Sequence, residues 1–437
     1  MEGLIPQLVF VLVLLLIFIL SGMPVAIALG GTGIVGILVL KGPAYISDLG
    51  YIVWGTLFSW MLVAVIGFVF MGCLFSEFGV GKDLYDFFYR WLGRLPGGTV
   101  ISSIFFCAFF GFICASAMAG ISTIGRIAVP EMERLGVSRN LYLGAFAFGG
   151  TLSAIIPPSI WMIIYCTLSE ASLGHVFFAG ILPGFLLVFI ASIYIIIRVK
   201  IHPELAPIPT TTFPMREKMS SLALVVPVII TFVVVLGGIY TGIFSAIEAS
   251  AVGALIALII SLAYRRLNIP GLSGAGRSTT KIVVMIYILL IGAHLFSHLM
   301  FISGLNEFIT KAFLGLAVSD FVRFLIIMAI ITVMGCLMDV MPILLICIPI
   351  FLPIITGMGL SPVWFGIIMI IQSELCEVTP PVGLNLFILK GLSPPGTTLA
   401  TIAKSSLPFV FICWAVFILL WFYPQIVLWL PSMMTGK

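Results

Sequence analysis

A 437-residue chain that is 62% hydrophobic and only 8% charged, with a mean hydropathy of +1.31, cannot cover itself as a water-soluble globule. Soluble domains place charge on about a quarter of their residues. Lipid must therefore solvate most of the chain, and the net charge of +4 carries no argument for nucleic acid. Eight cysteines lie in or beside apolar runs without a CxxC pair or metal-ligand spacing, and read as small packers between helices.

The first apolar run, from Leu4 to Leu20, has no basic segment before it and no small-residue cleavage site after it, and reads as a retained membrane helix. Helices are expected at about 5–21, 24–40 and 52–78. Two shorter stretches, 99–115 and 117–133, meet at the tip Ile113-Cys114-Ala115-Ser116-Ala117 and form a hairpin over 99–133. A helix over 140–168 is interrupted by Pro157-Pro158, and a last one covers about 176–198. A basic, proline-bearing linker occupies 201–220 and separates a first repeat, 1–200, from a second, 221–437.

The second repeat reads in the same order. Helices at about 221–240, 244–264 and 282–302 precede a hairpin over 321–356 with its tip at Gly335-Cys336-Leu337-Met338-Asp339-Val340-Met341-Pro342. A helix over 363–390 is broken at Pro380-Pro381, and a last helix covers about 405–425. Pro157-Pro158 recurs 223 residues later, and the same offset carries Pro130 onto Pro353 and Ser116 onto Asp339. If each hairpin is re-entrant, each half crosses the membrane five times, an odd number, so the halves are inverted. Fifteen of the 20 Lys and Arg then fall on one side, four on the other, and Arg126 lies inside the first hairpin. By the bias of cytoplasmic loops toward Lys and Arg, both termini are periplasmic. The expected fold is an all-α integral membrane protein of about ten crossings in two inverted repeats.

Broken helices at membrane depth are tolerated where they line a protein cavity or bind something. Each Pro-Pro pair is expected to free backbone carbonyls, those of Ser153, Ala154, Cys376 and Glu377, as ligands for a hard cation such as sodium. Half-helix N-termini at the tips favour a carboxylate. Asp339 reads as a helix N-cap or a coupling acid, and Glu374 and Glu377 as a proton relay or as carboxylates capping the broken end. Glu248 is expected to be buried in helix–helix hydrogen bonding. His294 and His298 share a helix face without an evident third metal ligand, and Arg126 is expected to snorkel or pair within its hairpin.

Gly180-Ile181-Leu182-Pro183-Gly184, Gly237-Gly238-Ile239-Tyr240-Thr241-Gly242-Ile243-Phe244 and Thr379-Pro380-Pro381-Val382-Gly383-Leu384-Asn385-Leu386-Phe387, with the run from Gly149 to Ser159, resemble the large, DctM-like membrane subunit of tripartite ATP-independent periplasmic (TRAP) transporters. The resemblance covers nearly the whole chain. It implies a sodium-driven elevator-type importer of organic acids in the bacterial inner membrane, with a small four-helix membrane subunit and a periplasmic substrate-binding protein as partners. It implies one sodium site at Gly335, Cys376, Thr379 and Val382, and a second at Cys114, Ser116, Gly150, Thr151 and Ser153. Substrate contacts are expected from Ser116, Ala117, Ser159, Met341, Gly383 and Asn385. The first tip departs from the family's usual Ser-Gly-Ser-Ser, and Cys376-Glu377 departs from its usual glycine before the second break. Those departures leave room for a proton in place of one sodium at Asp339, Glu374 or Glu377.

A solitary cation-coupled organic-anion transporter or exchanger is the nearest competing reading. An intramembrane enzyme fits less well, because no Gly-x-Ser-x-Gly or His-Glu-x-x-His motif is present. A channel fits less well again, since hairpins and breaks in both halves suit an occluding site.

Overall fold

A computed structural model describes residues 3–114, 117–209, 212–336, 338–379 and 383–434, with side chains for all of these except 112–114, 117 and 119. The described residues form twenty α-helices and no strand. In chain order the first ten are α1 (Leu4–Leu20), α2 (Val25–Leu40), α3 (Ile46–Leu57), α4 (Trp60–Glu77), α5 (Val80–Leu92), α6 (Gly98–Cys114), α7 (Ala117–Arg134), α8 (Arg139–Ser153), α9 (Ile160–Ser169) and α10 (Leu173–Ile201). The rest are α11 (Met215–Tyr240), α12 (Ala246–Ala263), α13 (Ile269–Ile302), α14 (Leu305–Leu314), α15 (Asp320–Gly335), α16 (Val340–Gly357), α17 (Pro362–Cys376), α18 (Leu384–Leu392), α19 (Leu399–Phe422) and α20 (Gln425–Ser432). Seven of them, α4, α10 to α13, α16 and α19, are long and apolar enough to cross a membrane, and α1, α2, α6, α9 and α17 are shorter apolar helices.

The expected hairpins correspond to α6–α7 and α15–α16, and the broken helices to α8–α9 and α17–α18. Several elements differ from expectation. The run 52–78 is two helices, α3 and α4, parted at Phe58 and Ser59. The helix expected at 282–302 starts thirteen residues earlier, at Ile269, where the Asn268 side chain accepts a 2.7 Å hydrogen bond from the Gly271 N–H and Pro270 sits in the first turn. The linker is shorter than 201–220, because α10 runs to Ile201 and α11 begins at Met215.

Three short helices escaped the sequence reading, α5, α14 and α20, and the first two follow the same kind of corner. After α4 the chain turns at Gly79 (φ 77°) into α5, and after α13 it turns at Gly304 (φ 74°) into α14. A left-handed φ is nearly free for glycine and costly for other residues. Helix α5 buries Val80, Leu84, Tyr85 and Phe88 and carries Lys82, Asp83, Asp86 and Arg90 among its other positions, the pattern of a helix lying along an interface. Arg266, in the turn before α13, clamps this corner with a 2.6 Å bond to Asp83 and a 3.2 Å bond to the Phe78 carbonyl.

Glu248 is exposed rather than buried. Its carboxylate accepts from the Ser245 N–H at 2.8 Å while the Ser245 hydroxyl accepts from the Glu248 N–H, so it caps α12 instead of bridging helices. His294 and His298 are occupied locally: His294 Nδ1 meets the Thr56 hydroxyl at 2.9 Å, and His298 Nε2 lies 3.5 Å from Asp48.

Burial separates two kinds of helix. Nearly every residue of α8 and α17 is buried, so these two run through the middle of the molecule. By contrast α1, α11, α12 and α13 present exposed apolar side chains such as Val9, Leu16, Ile230, Leu255 and Phe301, as helices bordering lipid do. These outer helices approach through glycine. Gly33 of α2 lies against the Leu295 backbone of α13, and Gly67 of α4 against Ser250 of α12. A side chain at 33 would meet Leu295 backbone atoms at 2.7 Å, whereas one at Gly237 of α11 would meet nothing within 4 Å. Gly33→Leu should therefore lower stability by about 1–3 kcal/mol through overpacking, while Gly237→Leu should stay within about 0.5 kcal/mol. Thermal unfolding of the purified protein in detergent distinguishes them, and equal melting temperatures would contradict this packing.

Candidate functional site

Helices α8 and α17 both stop in the middle of the protein, at Ser153 and Cys376, and each end packs into the first arm of a hairpin. The Ser153 hydroxyl donates to the Cys107 carbonyl of α6 at 2.8 Å, and Gly111 of α6 lies against the Ser153 backbone. The Cys376 thiol faces the Ile331 carbonyl of α15 at 3.7 Å, and Gly335 of α15 lies against the Cys376 side chain. The same contact is thus built twice, a small polar residue at a helix end fitted against a glycine.

The two ends also touch each other. The Thr151 hydroxyl of α8 donates to the Glu374 carbonyl of α17 at 3.3 Å. Gly150 leaves room for Asn385 of α18, whose amide nitrogen would lie 3.0 Å from a Cβ at that position. Gln372 donates to the Thr332 hydroxyl of α15 at 2.6 Å.

Polar groups concentrate here, and many lack partners. Glu374 and Asn385 are fully buried, and among the described residues both carboxylate oxygens of Glu374, both amide atoms of Asn385, the Ser159 hydroxyl, Gln372 Oε1 and Glu377 Oε2 have no hydrogen bond. Buried polar atoms are satisfied nine times in ten or more. The cluster lies at the two helix breaks. Asp339 is the N-cap of α16 and accepts from the Val340 N–H at 2.7 Å, with Glu374 and Glu377 as its acidic neighbours. Trp161 stands beside Glu374.

The expected carbonyl ligands need one correction. The Cys376 carbonyl is not freed by the second break, because the Thr379 N–H donates to it at 3.0 Å in a closing turn. The Thr379 hydroxyl donates to the Leu375 carbonyl at 2.9 Å. Hydroxyl and carbonyl oxygens are the donor set of hard cations, and Thr151, Ser153 and Thr379 bring both kinds to the two breaks. Among the described residues no three His, Cys, Asp or Glu side chains are grouped to hold a metal ion. Ser116 and Val382, with the side chains of Cys114 and Ala117 and the prolines Pro380 and Pro381, lie outside the described residues.

In front of the breaks is a cavity of about 820 Å³. One wall is α2 and α13, with Pro24, Val25, Thr280, Lys281, Val284 and Ile288. The other is formed by both hairpins and α9, with Met118, Asp339, Met341, Pro342 and Trp161. Of the residues expected to meet substrate, Met341 lines this cavity, while Ser159, Gly383 and Asn385 are buried and do not line it. Sequence reasoning missed Trp161, in the first turn after the first break, and Gln372, which has the glutamates' polarity without their charge.

A family model described as the DctM component of tripartite ATP-independent periplasmic transporters matches residues 12–426. The chain belongs to the DctM family. It is similar to the C4-dicarboxylate TRAP transporter large permease protein DctM of Pseudomonas aeruginosa, 31% identical over 93% of this chain and 94% of that one. It is equally similar, at 31%, to the isethionate TRAP transporter permease protein DctMQ of Oleidesulfovibrio alaskensis, over 94% of this chain and 64% of that longer one. Among solved structures, the YdaH transporter of Alcanivorax borkumensis (TM-score 0.63, 15% identity, 89% and 90% of the two chains) and MtrF of Neisseria gonorrhoeae (0.64, 13%, 88% and 85%) share the fold. A DctM-family chain is a multi-pass membrane component of a transporter and not an enzyme.

The glycine contact at the second break yields a test. Gly335→Ala places a methyl against Cys376 and should cost about 1–3 kcal/mol, and Cys376→Gly in the same chain should recover most of it. A double variant that melts as low as Gly335→Ala alone would contradict the contact.

Proposed function

We propose that the chain is the translocating subunit of a sodium-coupled importer of organic acids in the bacterial inner membrane, working by elevator-type alternating access. The observation that carries this reading is the hydrogen bond from Thr151 to the Glu374 carbonyl. These residues are separated by 223 positions, the same offset that carries Pro157-Pro158 onto Pro380-Pro381. In two repeats related by a two-fold axis, a residue that meets its own counterpart lies at the axis. The contact therefore supports two inverted halves whose broken helices converge at mid-membrane, the arrangement that binds ions and substrate in many secondary transporters.

In this reading α1 to α4 and α11 to α13 are the stationary frame, and the hairpins with α8, α9, α17 and α18 form the moving unit. Sodium is held by oxygens at the two breaks: Thr151 and Ser153 with Gly150 and the first tip around Cys114 and Ser116, and Thr379 with Gly335 and Val382. Cation binding at the breaks offsets negative charge around Asp339, Glu374 and Glu377 and fixes the tips. The unpaired polar atoms around Glu374 and Asn385 support a site that is completed by what it carries. Fifteen Lys and Arg on one face support a cytoplasmic side there, with both termini periplasmic. The cavity mouth at Pro24 and Lys281 then faces the cytoplasm.

Two partners complete the system. A periplasmic binding protein delivers the acid. A small four-helix membrane subunit covers exposed apolar helices of the frame, a reading supported by the longer DctMQ relative, of which this chain matches 64%.

Uptake of labelled organic acids into proteoliposomes holding this chain and the small subunit tests the proposal. With an inward sodium gradient and the binding protein outside, uptake should exceed that in an equal potassium gradient by at least about fivefold, since coupling free energies of about 1–3 kcal/mol give factors of about 5–150. Equal uptake in sodium and potassium would remove sodium coupling, and full uptake without the binding protein would favour a solitary transporter.

A further inference from the structure

The cavity between α13 and the hairpin tips has a charge pattern that selects among organic acids. Its lining holds one cationic side chain, Lys281, on the frame wall, and one anionic side chain, Asp339, on the opposite wall. Lys281 is exposed and makes no ion pair among the described residues, so its ammonium group is available to a ligand. From Lys281 the same face of α13 continues as Val284, Met285 and Ile288, facing Met118, Trp161 and Met341 across the cavity. Methionine side chains adapt their shape to different apolar bodies.

We infer that this cavity takes an organic acid with a single carboxylate, held at Lys281, and an apolar body lying between α13 and the tips, and that it rejects dicarboxylates. This inference rests on the transport reading and names its substrate class. A carboxylate leaving water needs a cation or several hydrogen bonds. Lys281 provides for one. A second carboxylate on the same molecule would face either the apolar walls or the like charge of Asp339. Apolar groups, in contrast, gain by leaving water for these walls.

Ligand-induced thermal shifts of the detergent-purified full chain test this directly. The probes are 4-methyl-2-oxopentanoate and phenylpyruvate as single-carboxylate acids with apolar bodies, against succinate and malate. The first pair should raise the melting temperature saturably and the second pair should not. Lys281→Gln should weaken binding by about tenfold or more, because a charge-assisted hydrogen bond of 1.5–3 kcal/mol is lost, and Lys281→Arg should retain it. Both variants should melt like the parent without ligand, since Lys281 is exposed. Asp339→Asn keeps an N-cap and should admit succinate. Binding of succinate equal to that of the single-carboxylate acids overturns the inference, as does unchanged binding in Lys281→Gln or no shift with any single-carboxylate acid. Sodium-driven uptake of succinate alone would sink this inference and leave the transport reading standing, whereas absence of sodium-driven uptake for every acid would sink the transport reading.

Discussion

A peptide N–H or C=O without a partner costs several kcal/mol in hydrocarbon, and the middle of this protein is arranged around that cost. Helices α8 and α17 end there, with their last residues buried. The protein answers by surrounding both ends with other helices and by turning hydroxyls onto carbonyls: Ser153 onto Cys107, Thr151 onto Glu374, Thr379 onto Leu375. Close approach is what makes this possible, and Gly111 and Gly335 permit it. Among the described residues the Glu374 carboxylate and the Asn385 amide remain without a hydrogen bond.

Sequence and structure agree best where the chain carries strong punctuation. Proline pairs and short polar tips in apolar surroundings identified both breaks and both hairpins, because few other arrangements let such residues sit in lipid. Thr151 and Glu374, which touch, are also 223 positions apart, a pair that the sequence reading did not single out. Where the punctuation is weak or misleading, the reading failed. Nothing at Phe58-Ser59 resembles a helix end, yet α3 stops there. The run Gly271-Leu272-Ser273-Gly274-Ala275-Gly276-Arg277 looks like a loop but is helical, because the Asn268 cap and the packing of Gly271 against Phe78 override its poor propensity. Helices α5 and α14 are too short and too polar to register as spans. Glu248 misled because an apolar context was taken for burial, when its three-residue spacing from Ser245 was the more direct signal of a cap.

The relatives fit this division of labour between scaffold and site. Identities near 30% with TRAP permeases coexist with shared family membership over residues 12–426, while solved transporters at 13–15% identity retain the fold. The architecture tolerates wide sequence change because it is held by apolar packing and a few glycine contacts.

The claim on which the account turns is that oxygens at the two helix breaks hold sodium. Ligand that binds only the folded state raises stability by RT ln(1 + [L]/Kd), so a sodium titration of the melting temperature reads the site without any substrate. The account predicts a saturable rise in sodium chloride that is absent at equal concentrations of choline chloride and much reduced in Thr151→Val. Superimposable curves in the two salts would contradict it.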